Sequence, residues 1–220
     1  MKPVFIFDMD GVIVDSEPLS DLYQESHFRS LGIDPIRAAS LSYRGINSRT
    51  LWTNLKAEFA LEQEVEALMS LSRAKFLAFL NEQPKLPAVP GARQLIRSLG
   101  RQNHRLALAS SAGRPRIDLF LGKLGLAKHF EVIVSGDDVT HAKPHPEIFQ
   151  AAANRLGASY KHCIVIEDAK AGVAAAKAAG MVCWGFTGLP HNTEDLSAAD
   201  IIITDLAGLA KQIRNGQLPQ

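Results

Sequence analysis

The stretch Phe5-Ile6-Phe7-Asp8-Met9-Asp10-Gly11-Val12-Ile13-Val14-Asp15-Ser16-Glu17 (FIFDMDGVIVDSE) decides the fold. An apolar run from Val4 to Phe7 stops at Asp8-Met9-Asp10-Gly11, and a second run, Val12 to Val14, stops at Asp15. A short continuous apolar run that ends in turn residues suits a strand covered on both faces. Two carboxylates two residues apart at the end of such a strand call for a chemical reason.

Outward from this stretch, similar runs recur at 105–109 (RLALA), 132–134, 163–166 (CIVI), 182–186 and 201–203. Helical patterns separate them, starting near Ala92, Pro115, Pro146, Ala169 and Leu206. Strand and helix alternating in this way predict an α/β fold, a Rossmann-like doubly wound parallel sheet with helices on both faces. One segment breaks the rhythm. From Ser16 to about Pro87 the pattern is helical, over 18–31, 48–59 and 62–80, and it closes on Pro84, Pro87 and Pro90. The expected division is a core of residues 1–15 and 88–220 with a helical domain, 16–87, inserted after the first strand.

With 220 residues and 46% hydrophobic content, the chain can bury one core and a smaller insertion. A net charge of +1 without a basic stripe argues against a nucleic-acid partner. No apolar run approaches the roughly 18–20 residues of a membrane span, and no charged leader precedes the first strand, so a cytoplasmic monomer is the expectation. Cys163 and Cys183 lie in apolar runs and read as free buried thiols. Trp184 and Trp52 read as core residues, and His104, His129 and His162 as solvent-facing. None of the seven histidines has metal-ligand spacing.

In open parallel sheets, ligands bind outside the carboxyl ends of the strands. Asp8 and Asp10 follow the first strand, Ser110 and Ser111 the second, Asp137, Asp138 and Lys143 the third, and Glu167 and Asp168 the fourth. Carboxylates converging on one place repel, and a divalent cation relieves the repulsion. All-oxygen ligands favour Mg²⁺. A lysine and hydroxyls beside such a cation suit a phosphoryl group, and one carboxylate can attack phosphorus to form an aspartyl phosphate. Asp15 reads as a hinge or helix-capping residue where the insertion begins.

The segments DMDGVIVDSE, ALASSAGRP, AKPHPEIF and VIEDAKAGVAAAKAAGM resemble, in order and spacing, the four motifs of the haloacid dehalogenase superfamily. The insertion places the chain with the branch that carries a helical, C1-type cap, the β-phosphoglucomutase and phosphoglycolate phosphatase-like enzymes. The resemblance implies that Asp8 is the nucleophile and that Asp10 is the general acid and base, with its backbone carbonyl on the metal. It implies Ser110 and Lys143 as phosphate ligands, with Ser111 as their neighbour, and Asp168 as a direct Mg²⁺ ligand with Asp8 and Asp10, with Glu167 either a further ligand or a residue behind the ligands. YRGINSRT (Tyr43 to Thr50) resembles the cap's specificity loop, and Arg49 and Lys75 are candidates for holding a substrate carboxylate or second phosphate.

The implied activity is Mg²⁺-dependent hydrolysis of small phosphate monoesters of sugars, polyols or small acids. A phosphomutase is the alternative. β-Phosphoglucomutases carry a cap histidine where this chain has Ser20 and a lysine where it has Gly113, and His27 lies about 10 Å further along a helix. Both departures favour hydrolysis. A non-catalytic phosphoacceptor of the receiver type would place its phosphorylated aspartate after the third strand and would lack the helical insertion.

Overall fold

The computed structural model describes residues 2–39 and 48–219. The chain forms two compact units, Met1–Ser16 with Lys85–Gln220, and Glu17–Pro84.

The larger unit is built on six parallel strands: β1 (Val4–Phe7), β2 (Leu106–Ala109), β3 (Val132–Val134), β4 (Cys163–Glu167), β5 (Val182–Phe186) and β6 (Ile201–Ile203). Their order is β3-β2-β1-β4-β5-β6, the doubly wound arrangement expected from the sequence. The order reverses direction at β1, so the first strand lies at the centre and its end opens into the crevice where such sheets bind ligands.

Every residue of β1 is buried, as its uninterrupted apolar run requires. Side chains alternate across the sheet. Val4 and Ile6 join a cluster with Ala107, Val165 and Phe149. Phe5 stands edge-on to Trp184 at 5.5 Å and Phe7 to Phe130 at 6.0 Å. Each such fully buried side chain contributes about 1.5–3 kcal/mol relative to exposure. Cys163 and Cys183 are buried and unpaired. His104 departs from the expected solvent-facing position: its ring stands edge-on to Phe5, and Nδ1 lies 2.9 Å from the Pro3 carbonyl.

The sheet is flanked in this unit by α5 (Ala92–Arg101), α6 (Arg114–Leu124), α7 (Glu147–Arg155), α8 (Lys170–Ala178) and α9 (Leu206–Arg214). Register fixes the strand ends. Phe7 pairs with Leu108 on one side and Ile166 on the other, and the Asp8 N–H donates to the Ile166 carbonyl at 3.0 Å. The residues just beyond β1, β2 and β4 are therefore neighbours.

The smaller unit contains α1 (Glu17–Ser30), α2 (Pro35–Ala39), α3 (Ser48–Phe59) and α4 (Val65–Glu82) among its described residues. Phe28, Ile33, Trp52, Leu55, Leu68 and Met69 form its core, which places Trp52 inside as expected. The Tyr23 hydroxyl donates to the Ser72 carbonyl at 2.9 Å and ties α1 to α4. Among the described residues, no helix is long and apolar enough to cross a membrane.

Candidate active site

Asp8 leaves the end of β1 only 5% exposed. Lys143 reaches it from the connection between β3 and α7: Nζ donates to Asp8 Oδ1 at 2.5 Å and to Glu167 Oε2 at 3.0 Å. The same ammonium lies over the Phe149 ring, 4.9 Å from its centroid. Glu167 is the last residue of β4, and Asp168 follows it. One cation thus bridges two strand ends, and both carboxylates are nearly sealed from water.

Burial dominates the electrostatics. It pushes the Asp8 carboxyl up, Lys143 opposes the shift and Asp10 adds to it. Burial, then the charge on Asp8, pushes Glu167 up to about 8. Burial, followed by the charges on Glu167 and Asp8, pushes Asp168 up to about 9. For Lys143, burial works against the charge, but the Asp8 and Glu167 carboxylates outweigh it and hold the ammonium protonated.

Two glycines make the cluster sterically feasible. Gly11 has φ +75°, and a Cβ there would lie 1.8 Å from Asp168 Oδ2. A Cβ at Gly172, in the first turn of α8, would lie 2.0 Å from the Glu167 carboxyl carbon.

Asp10 is held from two sides. The Ser16 hydroxyl donates to Oδ1 at 2.5 Å, and the Arg116 guanidinium donates to Oδ2. Neither partner stood out in the sequence. Arg116 did leave a signal, since a cation in the first turn of α6 opposes the helix dipole and needs an anion nearby.

Ser110 is buried at the end of β2, where its N–H donates to the Val134 carbonyl at 3.0 Å and its hydroxyl accepts from the Ala112 N–H at 3.1 Å. Ser111 is exposed, and its carbonyl lies against Gly136, where a Cβ would come within 2.4 Å. Asp137 accepts from the Arg114 N–H at 2.8 Å and so caps α6. Asp138 closes a capping box with Ser135 and pairs with Arg155 at 2.8 Å. Asp15 faces His191, with Oδ1 3.2 Å from Nε2.

Arg49 and Lys75 belong to the helical unit. Arg49 pairs with Glu66, and Lys75 is exposed on α4. Residues 43–47 of the expected specificity loop lie outside the described residues. His27 is buried in the helical unit, stacked on Tyr23 at 5.1 Å.

The carboxylates fit a divalent cation. Ligand oxygens of Asp8, Glu167 and Asp168 all lie within 4.8 Å of one another. When ionised, three carboxylates against the single Lys143 ammonium leave a formal charge of −2, which such a cation cancels. The donors are all oxygen, the set that suits Mg²⁺. The Asp10 side chain is not part of this convergence.

Comparison with known proteins agrees with this geometry. A family model described as haloacid dehalogenase-like hydrolase matches residues 5–186. The validoxylamine A 7'-phosphate phosphatase of Streptomyces hygroscopicus subsp. limoneus is 32% identical over 206 residues, covering 94% of this chain and 95% of that protein. A phosphorylated carbohydrates phosphatase of Thermotoga maritima is 33% identical over 183 residues, covering 80% and 81%. The crystal structure of a β-phosphoglucomutase from Clostridium difficile superposes with a TM-score of 0.76 at 26% identity, covering 98% of each chain. A motif-bearing sheet, the strand-end acid cluster and these matches over most of the chain lead to one conclusion: the protein belongs to the haloacid dehalogenase-like hydrolase family.

Proposed function

We propose that the protein is a Mg²⁺-dependent phosphatase of small phosphate monoesters, acting through an aspartyl phosphate on Asp8. The observation that carries this reading is the buried cluster at the ends of β1 and β4. There Lys143 bridges Asp8 and Glu167, and Asp168 completes a set of oxygen donors. Two similar proteins are named as phosphatases, one of validoxylamine A 7'-phosphate and one of phosphorylated carbohydrates, which supports small phosphate monoesters as substrates.

Asp8, Glu167 and Asp168 would hold the Mg²⁺, which when bound offsets negative charge on the carboxylates and the phosphoryl oxygens. A carboxylate oxygen of Asp8 attacks phosphorus, and the bond from phosphorus to the ester oxygen breaks. The departing oxygen takes a proton from Asp10. Asp10 then accepts a proton from water as the water oxygen attacks the phosphoryl group, which frees phosphate and restores Asp8. Lys143 keeps its positive charge throughout and orients Asp8, while Ser110 follows the last residue of the adjacent strand β2. Ser20 and Gly113, where mutases have a histidine and a lysine, favour water over a second sugar hydroxyl as acceptor.

The test is a panel of sugar, polyol and small-acid phosphates assayed with Mg²⁺, using Asp8→Asn as the control. The substitution preserves shape and removes the nucleophile, so a folded variant should lose at least about 10³-fold in kcat. Retained turnover in that variant rules out Asp8 as nucleophile.

A further inference from the structure

On the connection that carries Lys143, three side chains outside the acid cluster converge. We propose that His141, His145 and Glu147 form a second metal site, selective for a borderline transition cation of the Zn²⁺ class. Ligand atoms of the three lie within 4.8 Å of one another. His141 Nδ1 is 2.8 Å and His145 Nδ1 3.9 Å from the same Glu147 Oε2, and the two rings lie 4.4 Å apart. A tetrahedral ion with bonds of about 2.0–2.1 Å separates its ligands by about 3.3 Å, a value between the two measured distances. Small rotations of two exposed imidazoles therefore suffice to build the site.

The carboxylate is already fixed. Glu147 Oε1 accepts from the Thr140 N–H and Oε2 from the His141 N–H, each at 2.9 Å. Those bonds hold Glu147 ionised, down to about 2. Pro144 and Pro146 flank His145 and restrict its backbone, which lowers the entropy lost on binding. On binding, the His145 Nδ1 lone pair that accepts from the Glu147 N–H at 3.3 Å turns to the ion. A proton on His141 Nδ1 leaves or moves to Nε2. The side chains are 62%, 49% and 30% exposed, so water can fill the remaining position. Imidazole nitrogens separate this site chemically from the oxygen-only cluster at Asp8, Glu167 and Asp168. In sequence the set spans only seven residues, and the histidine spacing gave no ligand signal because a loop, not a helix face, brings the rings together.

The test is a calorimetric titration of the whole protein with Zn²⁺ in saturating Mg²⁺, which occupies the acid cluster. Wild type should bind one Zn²⁺, and His141→Ala/His145→Ala should bind it at least about tenfold more weakly. The single variants His141→Gln and His145→Gln should each weaken binding while retaining a polar side chain. Co²⁺ in place of Zn²⁺ should give visible d–d absorption in wild type that the double variant lacks. Equal Zn²⁺ affinity in wild type and double variant, or no Zn²⁺ binding by wild type, overturns the proposal.

Discussion

Gly11 and Asp168 are in such close apposition that a methyl group on Gly11 would lie 1.8 Å from the Asp168 carboxylate. The turn after β1 and the acid after β4 are fitted to each other through a missing side chain. With φ at +75°, Gly11→Ala is strained before any contact is counted, by about 1–3 kcal/mol. The variant should melt several degrees lower and bind Mg²⁺ at least about tenfold more weakly, because Asp168 must move. Calorimetric Mg²⁺ titration checks this, and unchanged affinity would detach Asp168 from the metal site.

Arg116 donates to Asp10 from the first turn of α6, opposite the Ser16 hydroxyl. In the proposed reaction it acts as a positioning residue for the proton carrier. Arg116→Ala should lower kcat for an alkyl phosphate by about tenfold or more, because a poor leaving group needs its proton. For p-nitrophenyl phosphate, whose leaving group departs without a proton, the first-turnover release of nitrophenolate should lose far less. Equal losses in the first turnover of both substrates would show that Arg116 acts on something other than proton delivery to the leaving group.

The acid cluster sets a pH dependence for Mg²⁺. Glu167 and Asp168, raised to about 8 and about 9, keep their protons where the same groups in an unfolded chain are ionised, above about 4. Without metal, their contribution to stability therefore falls as pH rises from about 4 through those values. Mg²⁺ must displace the protons, so its apparent affinity should climb between about pH 6 and 9 and then level off. The rise in melting temperature produced by Mg²⁺ should be larger at about pH 8 than at about pH 6. Flat affinity across this range would contradict the upward shifts of Glu167 and Asp168.

The sheet was legible because its strands are short apolar runs, fully buried in β1 and β2, and β3, β5 and β6 fall on the expected residues. α2 was not legible: in Pro35–Ala39 only Ala38 is buried, so no apolar stripe marks it. α4 begins at Val65, three residues after the expected start, because Glu64 is still extended, with ψ of 148°. At the candidate site, the acids and Lys143 could be read as residues at strand ends. The Ser16 and Arg116 contacts to Asp10, and the space that Gly172 leaves for Glu167, depend on packing between segments far apart in the chain. Beyond the cation that Arg116 places in the first turn of α6, the sequence carries no trace of them.

Trapping the covalent intermediate tests the proposed mechanism most directly. In Asp10→Asn, p-nitrophenyl phosphate can still phosphorylate Asp8, because its leaving group needs no proton, while hydrolysis lacks its base. Acid-quenched protein should then carry one phosphoryl group, and peptide mass spectrometry should place it on Asp8. The adduct should be absent from Asp8→Asn/Asp10→Asn and should require Mg²⁺. Nitrophenol release by Asp10→Asn at the full wild-type rate with no phosphoryl adduct, or an adduct on any other residue, would contradict the account.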